Sequence, residues 1–230
     1  MHALDTLYTD YPFFGSRRMR GALKDAYGIE ICREHVQRLM RTMGIEAVYP
    51  HPRTSIPAEG HHIYPYLLRN LEITKPNQVW GTDITYIRIS QGFCYLTAIL
   101  DWFSRTVLSW EVSERMETSF CATSLRSALT RAVPEIHNSD QGAQFTSEEY
   151  TNILATRGVS ISMDGRGRCM DNIFTERLWR TVKYEDVYLK KYRTLEEVRE
   201  GLARYFTFYN LQRRHQALNN KTPAQVYCAG

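Results

Sequence analysis

The chain is poor in the features that staple or anchor a protein. Its 230 residues include five cysteines, Cys32, Cys94, Cys121, Cys169 and Cys228, an odd number, widely spaced and without a CxxC pair. That excludes a disulfide framework and a zinc knuckle, and a reduced, cytosolic compartment is expected. Long apolar runs are missing as well. The longest, Phe93 to Leu100 with Thr97 inside it, falls far short of the roughly 20 residues a helix needs to span a bilayer. The N-terminus lacks the charged-then-apolar pattern of an export signal, so the protein is expected to remain in the cytoplasm, with no membrane partner. There is no internal repeat or low-complexity tract, and with 43% apolar and 23% charged residues the composition is that of a folded domain or two.

What charge imbalance there is has a pattern. The net charge is only +4, but residues 1–75 carry 10 basic and 8 acidic groups, residues 76–165 carry 6 and 10, and residues 166–230 carry 13 and 7. An acidic middle between basic flanks suits a protein whose flanks meet a polyanion while the middle holds something cationic. Basic surface without such a purpose is also common, so placement along the fold has to decide.

The segment from Tyr49 to Pro65 is crowded with Pro, His, Ser and Gly, lacks an apolar period, and reads as a linker. We therefore expect a helical module over 1–48, a connection over 49–75 and a larger domain over 76–230. In the first part, Ser16 can cap a helix running to about Tyr27 that Gly28 ends, and a second helix runs from about Cys32 to Met43 with Val36, Leu39, Met40 and Met43 as its apolar stripe. Arg17, Arg18, Arg33 and Arg38 lie on this pair. Two short basic helices joined by a tight turn fit either a helix-turn-helix docked on double-stranded DNA or a hairpin with solvated arginines. In the larger part, strands are expected over Gln78–Ile89, Phe93–Asp101 and Arg105–Val112, the first two joined by Ser90-Gln91-Gly92. Next come a helix from Thr118, a strand reaching Ser139, a helix at Ser147–Thr156, a strand at Val159–Ser162, and helices at about Asn172–Tyr184 and Leu195–Asn210. That order predicts an α/β domain with a mixed sheet covered by helices.

Three carboxylates stand out. Asp83 sits in Trp80-Gly81-Thr82-Asp83-Ile84-Thr85-Tyr86, where an Asp opposes the propensity of its own strand. Alternation puts it on the face of Gly81 and Thr85, away from Trp80, Ile84 and Tyr86. Asp140 follows a short strand in Asn138-Ser139-Asp140-Gln141-Gly142, and strand ends of α/β sheets are common ligand positions. Glu176 lies on a predicted helix that places Arg180 and Lys183 on its face. Each has a structural alternative: an Asp satisfying backbone groups, an Asp-Gln-Gly turn, and an i,i+4 Glu–Arg pair.

Taken together, with 35 residues between Asp140 and Glu176, the three resemble the D,D-35-E triad of polynucleotidyl transferases on the RNase H-like, retroviral integrase-type fold. The stretches WGTDITYI, NSDQGAQFTS, ISMDGRGRCMDN, ERLWRTVKYEDVYL and YNLQRRHQALNNKTPAQVY resemble the integrase core of insertion-sequence transposases of the IS-three family, products of the second reading frame. FFGSRRMRGAL and HVQRLMRTMGI resemble the helix-turn-helix region ahead of that core. The resemblance covers nearly the whole chain.

It implies a mixed five-stranded sheet with flanking helices behind a small helix-turn-helix module. It also implies that Asp83, Asp140 and Glu176 are catalytic ligands of two Mg²⁺ or Mn²⁺ ions, and that Lys183, seven residues after the glutamate, contacts DNA near the reacting end. Arg180 would neutralise phosphates beside the metals, and Arg166 and Arg168 would grip the strand. The implied activity is cleavage and joining of DNA at insertion-sequence ends in the bacterial cytoplasm, at the nucleoid when bound. A homo-oligomer on DNA is expected, with a first reading frame product as a further partner. Two departures stand: a portion found ahead of this region in longer relatives is expected to be absent, and Cys169 stands where relatives often carry a bulkier or different residue.

Carboxylates are the hard-oxygen ligands that a two-metal in-line displacement requires. Without metal three convergent anions repel, so a raised pKa for at least one of them and an incompletely organised site are expected. His137 is read as structural, because activated water needs no further base, Asp101 as a turn residue, and Asp171-Asn172 as a helix cap. The rival readings are a catalytically inactive DNA-binding regulator that occupies the same ends, and a glycosidase, which would leave the basic flanks unexplained.

Overall fold

The computed structural model describes residues 1–48, 62–90, 92–165 and 172–230. The chain divides into two compact units, Met1–Ile56 and Pro57–Gly230.

The first unit consists of α1 (His2–Asp10), α2 (Ser16–Tyr27) and α3 (Arg33–Thr42). Its core is Leu4, Leu7, Met19, Leu23, Val36 and Met40. The expected pair of helices is present, and Gly28, at φ +66°, ends α2 in the left-handed conformation that glycine adopts without strain. Helix α1 was not expected. It buries only Leu4 and Leu7 and has no side-chain cap, so nothing local announces it, and packing on α2 sustains it. The cap of α2 needs correction: Gly15 holds the N-cap position and Ser16 is the first helical residue. The Ser16 hydroxyl is used otherwise, accepting from Arg33 Nε at 3.3 Å and tying the starts of α2 and α3 together.

The second unit is built on a mixed five-stranded sheet in the order β3-β2-β1-β4-β5, from β1 (Val79–Ile89), β2 (Gly92–Asp101), β3 (Val107–Ser113), β4 (Ile136–Ser139) and β5 (Ser160–Met163). β1, β2 and β3 are antiparallel, whereas β1, β4 and β5 are parallel. Helices α4 (Thr118–Leu129) and α5 (Glu148–Ala155) follow β3 and β4. After β5 come α6 (Ile173–Val182), a π-helical turn at Lys183–Val187, α7 (Tyr188–Lys190), α8 (Leu195–Leu211) and α9 (Pro223–Tyr227). Local caps start three of these: Ser147 Oγ accepts from Tyr150 N at 3.3 Å, Thr194 Oγ1 from Glu197 N at 3.2 Å, and Thr222 Oγ1 from Gln225 N at 3.3 Å.

Alternation along β1 feeds two cores. Val79 and Ile87 join Leu178, Trp179, Leu202 and Phe206 beneath α6 and α8, while Trp80 and Ile84 join Phe120, Leu125, Tyr150 and Leu154 beneath α4 and α5. Asp83 has the parity of the first set. Residues 62–75, within the span read as a connection, pack on this unit. Leu68 is buried in the first core, Leu67 N donates to Ser162 Oγ at 3.0 Å, and Met163 N donates to Pro65 O at 3.4 Å, which covers the outer edge of β5. Residues 49–61, Gln91 of the hairpin turn and 166–171 lie outside the described residues. No helix among the described residues is long and apolar enough to cross a membrane.

Candidate active site

The parallel register of β1 and β4 pairs Val79 with Ile136, Trp80 with His137 and Gly81 with Asn138. The same offset carried two residues further sets Asp83 beside Asp140, where β4 has ended and the strands begin to part. Helix α6 lies over this end of β1. Asn172 Nδ2 donates to Thr82 O at 3.2 Å, Thr175 is buried, and Trp179 Nε1 donates to Asp83 Oδ2 at 3.0 Å. Gly81 makes the approach possible, because a Cβ there would stand 2.1 Å from Trp102 Nε1 and 3.1 Å from Thr175 Oγ1. Glu176, four residues after Asn172 and three before Trp179, shares their stripe of the helix and is exposed at the rim.

Electrostatics couple Asp83 to both of the other acids. Asp83 is held by two donors, Trp179 Nε1 and the N–H of Ile84, the latter at 2.7 Å to Oδ1. Its carboxyl nevertheless rises from the usual 3.8 to about 6, first through burial, then through the negative charge of Asp140, with a smaller push from Glu176 that the two hydrogen bonds oppose. The Asp140 carboxyl is also raised by desolvation, against the Gly142 N–H that donates to its Oδ1 at 2.9 Å. Burial lowers the Lys183 ammonium, and the charge of Asp83 opposes this. The expectation that like charge raises at least one carboxyl in the absence of metal is met at Asp83; at Asp140 burial alone raises it.

Among the described residues no three acidic, histidine or cysteine side chains close into a set able to hold a metal ion. Asp83 feels the charge of both other acids, although the three do not converge to ligand distance. The donor set still suits a hard divalent cation: three carboxylates, with the buried oxygens of Asn138, Gln141 and Asn172 lacking a hydrogen-bond partner among the described residues.

The other residues singled out in the sequence fall as follows. Arg180 is exposed with its guanidinium 5.8 Å from the Tyr184 ring centroid, and Lys183 Nζ lies 4.7 Å from that of Tyr86. No Glu176–Arg180 ion pair exists among the described residues, so the solvated-pair account of Glu176 fails. Arg166, Arg168, Cys169 and Asp171 lie outside the described residues. Arg17, Arg18 and Arg38 are exposed on the first unit, whereas Arg33 is half-buried by its bond to Ser16.

His137 is structural. It is buried against Tyr150 OH at 3.0 Å and pushed down to about 3 by desolvation, hence neutral. Asp101 fixes the β2–β3 turn, accepting from Asn77 N and Ser104 N, both at 2.8 Å. Asn172 occupies the cap position of α6, but its side chain donates across to β1 instead of capping. Sequence reasoning missed Trp179 as a partner of Asp83. It reads as one more apolar residue beside Leu178, and only its place one turn after Glu176 hinted at more.

Comparison with known proteins agrees with this architecture. Residues 73–169 and 157–223 match Integrase core domain families, and residues 1–53 match the HTH-like domain family. The InsK protein of insertion sequence element IS150 from Escherichia coli (strain K12) is 32% identical over 217 residues, covering 92% of this chain and 76% of that protein. The transposase for insertion sequence element IS904 from Lactococcus lactis subsp. lactis (strain IL1403) is 30% identical over 220 residues, covering 91% and 85%.

Among solved structures, the HTLV-2 integrase catalytic core domain in complex with magnesium is similar at a TM-score of 0.55 and 18% identity, over 66% of this chain and 97% of that one. A chain of the simian T-cell lymphotropic virus intasome is similar at a TM-score of 0.59 and 17% identity, over 98% and 74%. At those identities the likeness establishes the RNase H-like fold alone. With relatives of this identity and coverage, the chain belongs to the insertion-sequence transposases that carry an integrase core domain.

Proposed function

We propose that this transposase is a polynucleotidyl transferase that cleaves and joins DNA strands at insertion-sequence ends, with Asp83, Asp140 and Glu176 as its catalytic carboxylates. The observation that carries the reading is the β1–β4 register that sets Asp83 beside Asp140, with α6, which bears Glu176, bonded over the same end of β1 through Asn172 and Trp179. Acids from β1, the end of β4 and α6 gathered in this way are a liability to folding that metal binding relieves.

The three carboxylates would hold two divalent ions, Mg²⁺ or Mn²⁺, which when bound activate the attacking oxygen and stabilise the leaving one. Trp179 and the Ile84 N–H fix the Asp83 carboxylate from behind, leaving its remaining lone pairs for a ligand. Arg180 and Lys183 supply positive charge for the phosphates beside the acids, with Arg166 and Arg168 as further contacts to the strand. Arg17, Arg18, Arg33 and Arg38, on a helical module over 1–48, hold duplex DNA, while residues 76–230 carry the chemistry behind a connecting stretch at 49–75. Two ends must meet for joining, so a homo-oligomer assembles on DNA, at the nucleoid of the bacterial cytoplasm.

Incubation of the protein with a labelled duplex spanning the element's terminal repeat and Mg²⁺ should give nicked and joined products. Asp83→Asn, Asp140→Asn and Glu176→Gln should bind the duplex and yield none. Binding without any product by the unaltered chain would overturn the reading in favour of a regulator that only occupies the ends.

A further inference from the structure

Beside the carboxylates lies a group of aromatic side chains that neither core uses. Tyr86 and Phe93, on the two strands of the β1–β2 hairpin, are 60% and 53% exposed and stand edge to face with ring centroids 5.5 Å apart. Tyr184 on the π-helical turn and Tyr188 on α7 are 64% and 56% exposed and form a second edge-to-face pair at 5.4 Å. Most aromatics of α8 behave differently: Tyr205, Phe206 and Tyr209 are buried in the core, and only Phe208, 42% exposed, is not.

Each exposed pair carries a cation. Lys183 Nζ is 4.7 Å from the Tyr86 centroid and the Arg180 guanidinium is 5.8 Å from that of Tyr184. Among the described residues neither cation joins an ion pair, and the hydroxyls of Tyr86, Tyr184 and Tyr188 make no hydrogen bond. Tyr86 is three residues along β1 from Asp83, roughly 10 Å of strand and of opposite parity, and Lys183 links the two, with its ammonium beside the Tyr86 ring and within reach of the Asp83 charge.

We propose that this patch is a stacking site for unpaired nucleotide bases, taken up from a DNA strand whose phosphates Lys183 and Arg180 neutralise. Four exposed rings offer π faces that accept any base, and two unpaired cations at their edges complement a polyanion, the combination that single-strand binding surfaces use. A closed duplex presents few base faces. The occupant is therefore a strand whose end has come apart next to the scissile phosphate. This inference rests on the reading of the chain as a strand-cleaving enzyme and adds to it the form of the substrate, an end that is open rather than paired.

The test uses the full chain in EDTA, so that no cleavage occurs, with a single-stranded oligonucleotide containing 2-aminopurine and a blunt duplex of the same sequence. The unaltered protein should bind the single strand with quenched fluorescence. Tyr86→Ala and Tyr184→Ala should each weaken that binding about tenfold and lift the quench, since stacking on one ring is worth about 1–3 kcal/mol per base. Duplex affinity should change less than about twofold, the limit for a contact the duplex does not make. Tyr86→Phe and Tyr184→Phe should behave as the parent, which separates stacking from misfolding.

Equal weakening toward both DNAs, or no weakening toward either, would overturn the proposal. Loss of self-association in sedimentation with single-strand binding intact would also overturn it, making the patch an interface between copies. Because the readout needs no metal and no product, failure of the cleavage reading leaves the quench unaffected, and loss of the quench leaves cleavage to be judged separately.

Discussion

Replacing Asp83 with Asn removes a charge that the fold resists while keeping the side chain's shape. The carboxyl stands at about 6 against an ordinary 3.8, and at about 1.4 kcal/mol per pH unit the ionised form costs the folded, metal-free protein about 3 kcal/mol. Because the folded value lies above the unfolded one, the stability that Asp83 contributes is fully present below pH 3.8 and is lost as the pH rises through about 6. Asn has one acceptor oxygen for the two donors that reach the carboxylate, Ile84 N and Trp179 Nε1, which costs about 1 kcal/mol.

The net effect of Asp83→Asn is a gain of about 2 kcal/mol above pH 7 and a loss of about 1 kcal/mol below pH 4. For a unit of this size that is a Tm rise of roughly 4–8 °C at pH 7.5 and a fall of roughly 2–4 °C at pH 4. Calorimetry in EDTA across that pH range reads it directly. A destabilisation of constant size at every pH would refute the idea that Asp83 is an ionised group held at a cost among like charges.

Further predictions concern the groups around Asp83. Trp179→Phe removes a donor that favours the ionised form, so the metal-free titration of Asp83, followed by carboxyl NMR, should move upward. No movement would mean that the indole N–H does not support the charge. Gly81→Ala places a methyl 2.1 Å from the Trp102 indole nitrogen, and such overpacking should cost about 1–3 kcal/mol in denaturant unfolding and reduce cleavage by displacing α6. An unchanged midpoint would contradict the close approach of α6 to β1. DNA binding should weaken with salt at a slope of about 0.9 per neutralised phosphate, and Arg180→Ala should lower that slope by about one contact.

The sheet was legible in the sequence because β1 to β3 announce themselves by β-branched and aromatic alternation. Gly28 and Gly44, both at positive φ, mark where α2 and α3 end. Helix α1 was not legible, because its two buried leucines and missing cap leave its stability to packing on α2. The three acids could be picked out by type and spacing, yet the placing of Asp83 beside Asp140 and under α6 could not. It depends on the β1–β4 offset and on Gly81 letting α6 down onto the strand, which are tertiary facts. Trp179 was hidden for the same reason: an indole in an apolar run looks like core until its N–H is found on a carboxylate. Ser16 misled because serine is a frequent N-cap, while here its hydroxyl is engaged by Arg33 from the next helix.

The central claim is that Asp83, Asp140 and Glu176 share divalent ions, and anomalous diffraction from crystals soaked in Mn²⁺ tests it most directly. Two peaks about 3.5–4 Å apart, bounded by oxygens of all three carboxylates, are the predicted result. Peaks located elsewhere, or acids that remain apart with no peak between them at saturating Mn²⁺, would contradict it.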